Sequence, residues 1–460
     1  MELVQRRDRH LLALCLLAGG AAVVSIFAAK TALIILLLPA VVVGVRLYWG
    51  ILRGNPAATL LLVFLSVFLI DATFRIREYA DKGVDFQVLI KIVLWGALAS
   101  VALVQFPRWF ANVMTPTGLT WIVFILWLFI TAAISPVPAY SAVAAFSIAA
   151  YLLFSAYLGA QFERSDIFLV IVLAITAVCI ISIVVYFVVP EFGRFVYWNN
   201  DERYVSGRMA GIAGSANNMG RLAALGLMLI ALYARDMQRV HRLIVPICTV
   251  ILLVSLLMTN SRSSMAMVLV LCGAAMLLRW HRLYIIVLLA AIGCLFAVLV
   301  IPAGDEILKV ISRSGDISEV TSMTGRSDIW AAVPKLIEGR VWTGFGYASS
   351  IFVIPEHEAE VGFLTSHAHN LMLQLLLTTG WIGVGLFTIS FLLTGLRAAY
   401  FADRTILLLL GFVILNGITE SSAFSSVANI CTLAYALAVT LPPERSSDSD
   451  LSKGFMQTPE

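Results

Sequence analysis

The chain predicts an all-α fold, a polytopic transmembrane helical bundle, and three observations carry that prediction. Of 460 residues, 61% are apolar and only 13% charged. Mean hydropathy is +0.96. The apolar residues fall into runs of bilayer-crossing length, and Lys and Arg concentrate in alternate connections between them. A soluble domain is about half apolar and about a quarter charged, so no soluble fold of this length has interior enough for these side chains, whereas lipid does.

A span needs about 20 mostly apolar residues. Candidates lie at 11–28, 31–49, 57–73, 87–104, 118–134, 140–160, 167–189, 218–234, 243–259, 264–279, 283–302, 370–396, 405–419 and 424–441. Some early runs are short enough to be re-entrant or fused, which gives 12–14 spans. Arg6, Arg7 and Arg9 before the apolar run from Leu11 resemble a signal peptide, but no good cleavage site precedes Lys30 and apolar spans continue to the end. The run is therefore read as a first membrane helix with a cytoplasmic N-terminus.

With that start, the inner connections carry sixteen Lys/Arg and the short outer ones five, namely Lys30, Arg75, Arg77, Lys82 and Arg262. This is the positive-inside bias, and an even span number places both termini in the cytoplasm. The expected organisation is a transmembrane bundle over 1–302 with a periplasmic loop at 190–217. A large periplasmic loop at 303–369, C-terminal helices at 370–441 and a disordered cytoplasmic tail at 442–460 follow.

Several classes are excluded or disfavoured. A net charge of +4 without dense basic runs interleaved with aromatics gives no nucleic-acid partner. Cys15, Cys179, Cys248, Cys272, Cys294 and Cys431 all lie in apolar stretches and form no CxxC pair, so they read as small core residues rather than metal ligands or disulfides.

The two long loops hold eight further basic residues: Arg194, Arg203, Arg208, Lys309, Arg313, Arg326, Lys335 and Arg340. Long loops are exempt from the positive-inside rule, and anionic ligands would give this charge a purpose. Within the second loop, TGRSDIWAAVPKLIEG (324–339) spaces Ile329, Trp330, Val333 and Ile337 as an amphipathic helix. Gly344 and Gly346 then mark a tight turn.

Two clusters can carry chemistry. Ser366-His367-Ala368-His369-Asn370 stands at the mouth of a span, and a histidine titrating near neutrality can take a proton from a hydroxyl. The alternative is a pair of interfacial histidines with structural hydrogen bonds. A metal site is the weaker reading, because HxH here lacks an HExxH motif or a Cys partner. The second cluster is arginine at outer-face helix ends: Arg208 in SGRMAG, Arg221 near the next span's start, Arg262 in NSRSS and Arg326 in TGRSD. Guanidinium groups bind phosphate bidentately, and helix N-termini add backbone donors. Any one of them alone reads as a headgroup contact; four in Gly/Ser settings point to a shared anion such as a pyrophosphate. Lys91 lies inside a span with no legible partner, Asp71 and Glu420 lie near outer span ends, and FGRFVYW (192–198) reads as an interfacial aromatic belt or a surface for stacking sugar rings.

The whole pattern resembles the bacterial O-antigen ligase/polymerase family. His369-Asn370, then LMLQLLLTT, then Gly380 carries the resemblance, together with Gly325-Arg326 and Trp330, the Gly344-Phe345-Gly346 turn and the Ser261-Arg262-Ser263 corner. The motifs cover roughly 200–400. The resemblance implies a GT-C-like membrane glycosyltransferase that uses neither metal nor cofactor. Its donor would be an undecaprenyl-diphosphate-linked glycan and its acceptor lipid A–core, with membrane lipids around it. It implies His369, Arg208 and Arg326 as catalytic residues. Arg262, Arg221, His367, Asn370, Gly344 and Gly346 would contact substrate. The expected reaction is a direct inverting displacement at the periplasmic face of the inner membrane, with the arginines and His369 converging on one substrate. A ligase is favoured over a polymerase or a protein O-oligosaccharyltransferase because no large C-terminal domain follows. A lipid-linked glycan transporter is the alternative of another class, disfavoured because polar residues gather on one face rather than mid-membrane.

Overall fold

The computed structural model describes residues 45–46, 48–74, 85–199, 202–240, 242–277, 326–358 and 365–443. The expected spans at 11–28 and 283–302, most of that at 31–49 and nearly all of the tail lie outside the described residues. The chain divides into two compact units: residues 1–106 with 161–268, and residues 107–160 with 269–460.

In the first unit, α1 (Pro56–Ile70) begins at Asn55, whose side chain accepts from the backbone N–H groups of Ala57 and Ala58, with proline in its first turn. Asp85 caps α2 (Phe86–Val104) in the same way. A short helix, Phe106–Val113 (α3), lies at the division between the units. Helix α6 (Arg164–Val188) packs against α1, α8 (Ala216–Val240) and α9 (Ile244–Thr259). Leu222, Ala223, Ala224, Met228 and Leu229 of α8 are buried. Lys91 is not without a partner: its Nζ donates to the Ile70 carbonyl at 3.2 Å, joining α2 to the end of α1.

The loop expected at 190–217 is structured. After the turn α7 (Pro190–Gly193), β1 (Arg194–Asn199) pairs antiparallel with β2 (Glu202–Met209), Val196 facing Val205, with an irregularity between Arg194 and Val196. The aromatic run that reads as a membrane belt is thus a strand: β-branched and aromatic residues on both sides of an Asn-rich turn favour a hairpin. Helix α10 (Arg262–Leu277) follows the Asn260 corner, where φ is +46.

The second unit is built on α4 (Pro116–Ala132), α5 (Pro138–Gln161), α13 (Leu371–Tyr400), α14 (Arg404–Thr419) and α15 (Ile430–Thr440). Helix α4 packs on α13, and α14 packs on α13 and α15. Trp121, Phe124, Phe387, Phe424 and Tyr435 form its aromatic centre, with ring centroids 4.8–6.2 Å apart. Two shorter helices, α11 (Arg326–Leu336) and α12 (Ser350–Glu356), stand before α13. The expected amphipathic helix is α11: Ile329, Val333 and Ile337 are buried in one cluster with Val353, Ile354 and Leu377. The span expected at 424–441 is shorter, because Asn429 starts a capping box that fixes the helix start at Ile430.

Among the described residues, four helices are long and apolar enough to cross a bilayer: α2, α5, α6 and α13. Six shorter apolar helices, α1, α4, α9, α10, α14 and α15, accompany them. Their outer faces carry large apolar side chains such as Val93, Leu257, Leu269 and Leu396, each more than 60% exposed, as lipid-facing surfaces require. The chain is a multi-pass membrane protein.

Candidate active site in the second unit and an arginine cluster in the first

Helix α13 is not continuous. Gly380 breaks it at φ +67, and the backbone of the preceding loop inserts at the break. Trp381 N–H donates to the Val341 carbonyl (2.9 Å) and Phe345 N–H to the Leu377 carbonyl (2.9 Å). A Cβ on Gly380 would run into the Trp342 carbonyl. Gly344 (φ +62) and Gly346 (φ +100) form the expected tight turn. A Cβ at Gly344 would strike the backbone of Leu377 and Thr378, and one at Gly346 that of Ser135. These glycines let backbone meet backbone; their Cα faces are filled by protein rather than open to substrate.

The histidine loop sits at the head of this broken helix. Asn370 is the N-cap of α13: its Oδ1 accepts from Met372 N–H (3.0 Å) and Leu373 N–H (3.1 Å), and its Nδ2 donates to the Ile418 carbonyl (3.3 Å). The side chain is thereby occupied by the helix start and by α14. His369 precedes it with φ +47, a left-handed conformation uncommon for a residue other than glycine.

That backbone turns the His369 ring toward Glu420, just beyond α14. Nδ1 lies 3.1 Å from Glu420 Oε2, and Nε2 lies 3.3 Å from Thr365 Oγ1. The other carboxylate oxygen, Oε1, accepts from Arg326 Nη2 at 2.8 Å, and Arg326 Nη1 donates to the Thr419 carbonyl. Arg326 and Glu420 are each 17% exposed and His369 25%. Arg326, Glu420 and His369 thus form one continuous chain of charge-assisted contacts at the rim of the unit. The ring thus has a carboxylate at Nδ1 and a threonine hydroxyl at Nε2, so a proton on Nδ1 would be held by Glu420 and leave Nε2 as the acceptor beside Thr365. The guanidinium stands one residue further along the same chain, where it neutralises the carboxylate and presents positive charge beside His369.

His367 differs from its neighbour. Its Nδ1 is enclosed without a hydrogen-bond partner. Burial pushes this imidazole down from 6.5 to about 4, helped by His369 and opposed by Glu420. It is neutral at physiological pH and sits beside His369 rather than acting as a cation.

The first unit holds the other expected arginines. Arg208, at the end of β2, donates from Nε to the Thr259 carbonyl (3.0 Å) and from Nη2 to Asn217 Oδ1 (2.9 Å), and its guanidinium lies 5.4 Å from the centre of the Phe195 ring. Asn217 also accepts from Ser261 Oγ (3.4 Å), which lies 3.0 Å from Ser264 Oγ. Arg262 begins α10 beside this serine cluster. Arg208, Asn217, Ser261 and Ser264 therefore form one polar corner at a helix N-terminus, suited to an anion. Arg221 points elsewhere: it is 4% exposed and pairs with Asp71 at 3.6 Å. That buried pair closes α1 onto α8 and gives Arg221 a structural partner in place of the shared anion read from the sequence.

Glu420 and Asp71, read from the sequence as interfacial, are the acidic halves of these two constellations. Their signal was an acidic residue at an outer span end in a chain that avoids charge there, but fifty residues separate Glu420 from His369 and no spacing rule connects them. Among the described residues no group of three or more His, Cys, Asp or Glu could hold a metal ion.

The described residues form a helical membrane bundle with a histidine-carboxylate-guanidinium chain before α13. Residues 247–388 are similar to the family model described as O-Antigen ligase. That segment contains Arg262, Arg326, Gly344, Gly346, His367, His369, Asn370 and Gly380; Arg208, Arg221 and Glu420 lie outside it. Among curated proteins the chain is similar to the General O-oligosaccharyltransferase of Acinetobacter baylyi (strain ATCC 33305 / BD413 / ADP1), at 25% identity over 226 residues. That alignment covers 43% of this chain and 38% of the relative's length.

Proposed function

We propose that the protein is a glycosyltransferase that moves a glycan from undecaprenyl diphosphate to an acceptor hydroxyl at the periplasmic face of the inner membrane. The observation that carries this reading is the Arg326–Glu420–His369 chain at the head of α13. In the proposed reaction His369 Nε2 takes the proton of the acceptor hydroxyl. The oxygen attacks the anomeric carbon, the bond from that carbon to the diphosphate oxygen breaks, and undecaprenyl diphosphate leaves with inversion. Glu420 holds the ring and stabilises the imidazolium that forms. Arg326 supplies positive charge for the departing diphosphate; the corner of Arg208 and Arg262 is the first unit's own candidate anion site. Groups aimed at developing charge commonly contribute 10²–10³-fold, roughly 2.7–4 kcal/mol.

The preferred acceptor is a sugar hydroxyl of lipid A–core, which makes the protein an O-antigen ligase; the matched family domain supports this. The similarity to a General O-oligosaccharyltransferase supports a second reading, transfer to serine or threonine hydroxyls of a protein. One assay separates them. Purified protein receives a labelled lipid-linked glycan together with lipid A–core, a second lipid-linked repeat, or a Ser/Thr-containing peptide. Labelled lipid A–core identifies the ligase, a lengthened lipid-linked chain the polymerase, and labelled peptide the oligosaccharyltransferase. Glycan movement across liposomes with no covalent product would overturn all three.

A further inference from the structure

The conformation of His369 is imposed from a distance by one buried amide. Gln374, fully buried on the first turn of α13, binds three segments at once. Its Oε1 accepts from Ala368 N–H at 3.0 Å, and its Nε2 donates to Ser350 Oγ (2.7 Å) and to the Ser425 carbonyl (3.1 Å). Ala368 is gripped from its other side as well: Trp330 Nε1 on α11 donates to its carbonyl at 3.1 Å. Both backbone groups of the residue directly before His369 are thus fixed. The peptides on either side of Ala368, the second of which leads into the left-handed turn at φ +47, are each held by one of these bonds.

The third bond of Gln374 matters equally. Ser425 belongs to the segment that follows Glu420, so the same amide ties the histidine loop to the carboxylate loop. We infer that Gln374 is a positioning residue for the transfer reaction, with Trp330 as its counterpart, setting the distance between His369 and Glu420. The inference rests on His369 being the base. A buried glutamine that served the fold alone would bond wherever partners were convenient. Here two of its three side-chain bonds reach the segments that carry the proposed base and its carboxylate, and the third ties them to α12.

The test is steady-state transfer by the purified full chain with labelled lipid-linked glycan and the acceptor found active, rates being normalised to folded protein by size-exclusion chromatography. Gln374→Met keeps the volume and removes all three bonds. It is expected to lower kcat about 10–100-fold, the usual range for groups that orient an active ligand or base, and to leave donor KM within about twofold. In a Glu420→Gln background the same substitution should cost no more than about threefold, because a base already released from its carboxylate has little left to lose. Trp330→Phe removes only the bond to Ala368 and should give a smaller loss confined to kcat; it also keeps the test open should Gln374→Met not fold. If both variants fold less well but retain full kcat per folded molecule, or if the two losses multiply in the Glu420→Gln background, the inference is overturned while the proposed function stands. Full activity of His369→Ala would instead remove the proposed base and this inference with it.

Discussion

A histidine at φ +47 costs about 1–3 kcal/mol in backbone strain, so His369 stays there only because its surroundings require it. Its ring is then held at both nitrogens, by Glu420 and by Thr365. His369→Gln keeps much of the shape but cannot accept a proton, so transfer should fall by at least about 100-fold with membrane insertion unchanged; a purified assay at saturating donor checks it. Arg326 differs from a simple surface charge. It spans the Thr419 carbonyl and Glu420 with two nitrogens, which a lysine ammonium cannot reproduce in the same geometry. Arg326→Lys should therefore recover only part of the activity lost in Arg326→Ala, read as kcat/KM for the donor. His367 makes a prediction about stability. Its folded value is about 4 against 6.5 in the unfolded chain, so below about pH 6.5 the unfolded state takes up a proton that the folded state refuses. Stability should fall as pH drops from 6.5 toward 4, by about 1–2 kcal/mol once partial solvent exposure is allowed for. Thermal unfolding in detergent at pH 7.5 and 5.0 should show a smaller acid loss for His367→Gln than for the native chain.

Among the elements, α13 shows how a glycine can serve a site it does not touch. The break at Gly380 admits the 341–345 backbone, which places α11 and the Gly344–Gly346 turn beside the histidine loop. Gly380→Ala asks an alanine to adopt φ +67, ψ −172, a region essentially reserved for glycine, and drives its methyl into the Trp342 carbonyl. The expected result is loss of folded protein rather than a selective loss of kcat, measured as monodisperse yield and Tm. His369-Asn370 at the head of a span was legible from the sequence, and Gly380 entered through the family resemblance, but the break it makes was not, since 370–396 reads as one apolar span. Most helices were legible, with bounds that fall within a few residues of the apolar runs. The β1–β2 hairpin was not legible, because its aromatic residues satisfy a strand and a membrane interface equally well. Glu420 and Asp71 were not legible as partners for a different reason. An ion pair formed by tertiary folding leaves no period in the chain, and each acid stands far in sequence from the cation it meets.

At the scale of the whole molecule, the proposed chemistry depends on which side of the bilayer the head of α13 faces. The thirty residues of α13 extend about 45 Å at 1.5 Å per residue, enough to cross the apolar layer even with a break. His369 lies immediately before its start. Arg397 lies in its last turn, where one guanidinium nitrogen donates to the carbonyls of Ala438 and Leu441, and Arg404 opens α14 just beyond. Positive charge at that end, set against an opposite end with none in its first turn, is the positive-inside signal behind the proposed orientation, Tyr400 in the cytoplasm and His369 in the periplasm. Single cysteines in a cysteine-free background test this directly. Glu338→Cys, exposed just past α11, should react with a membrane-impermeant maleimide in intact spheroplasts. Tyr400→Cys, 83% exposed in the native chain, should react only after permeabilisation. The reverse pattern would place the base in a compartment where the lipid-linked glycan is not presented, and the transfer reaction proposed for His369 would lose its substrate whatever the geometry of the site.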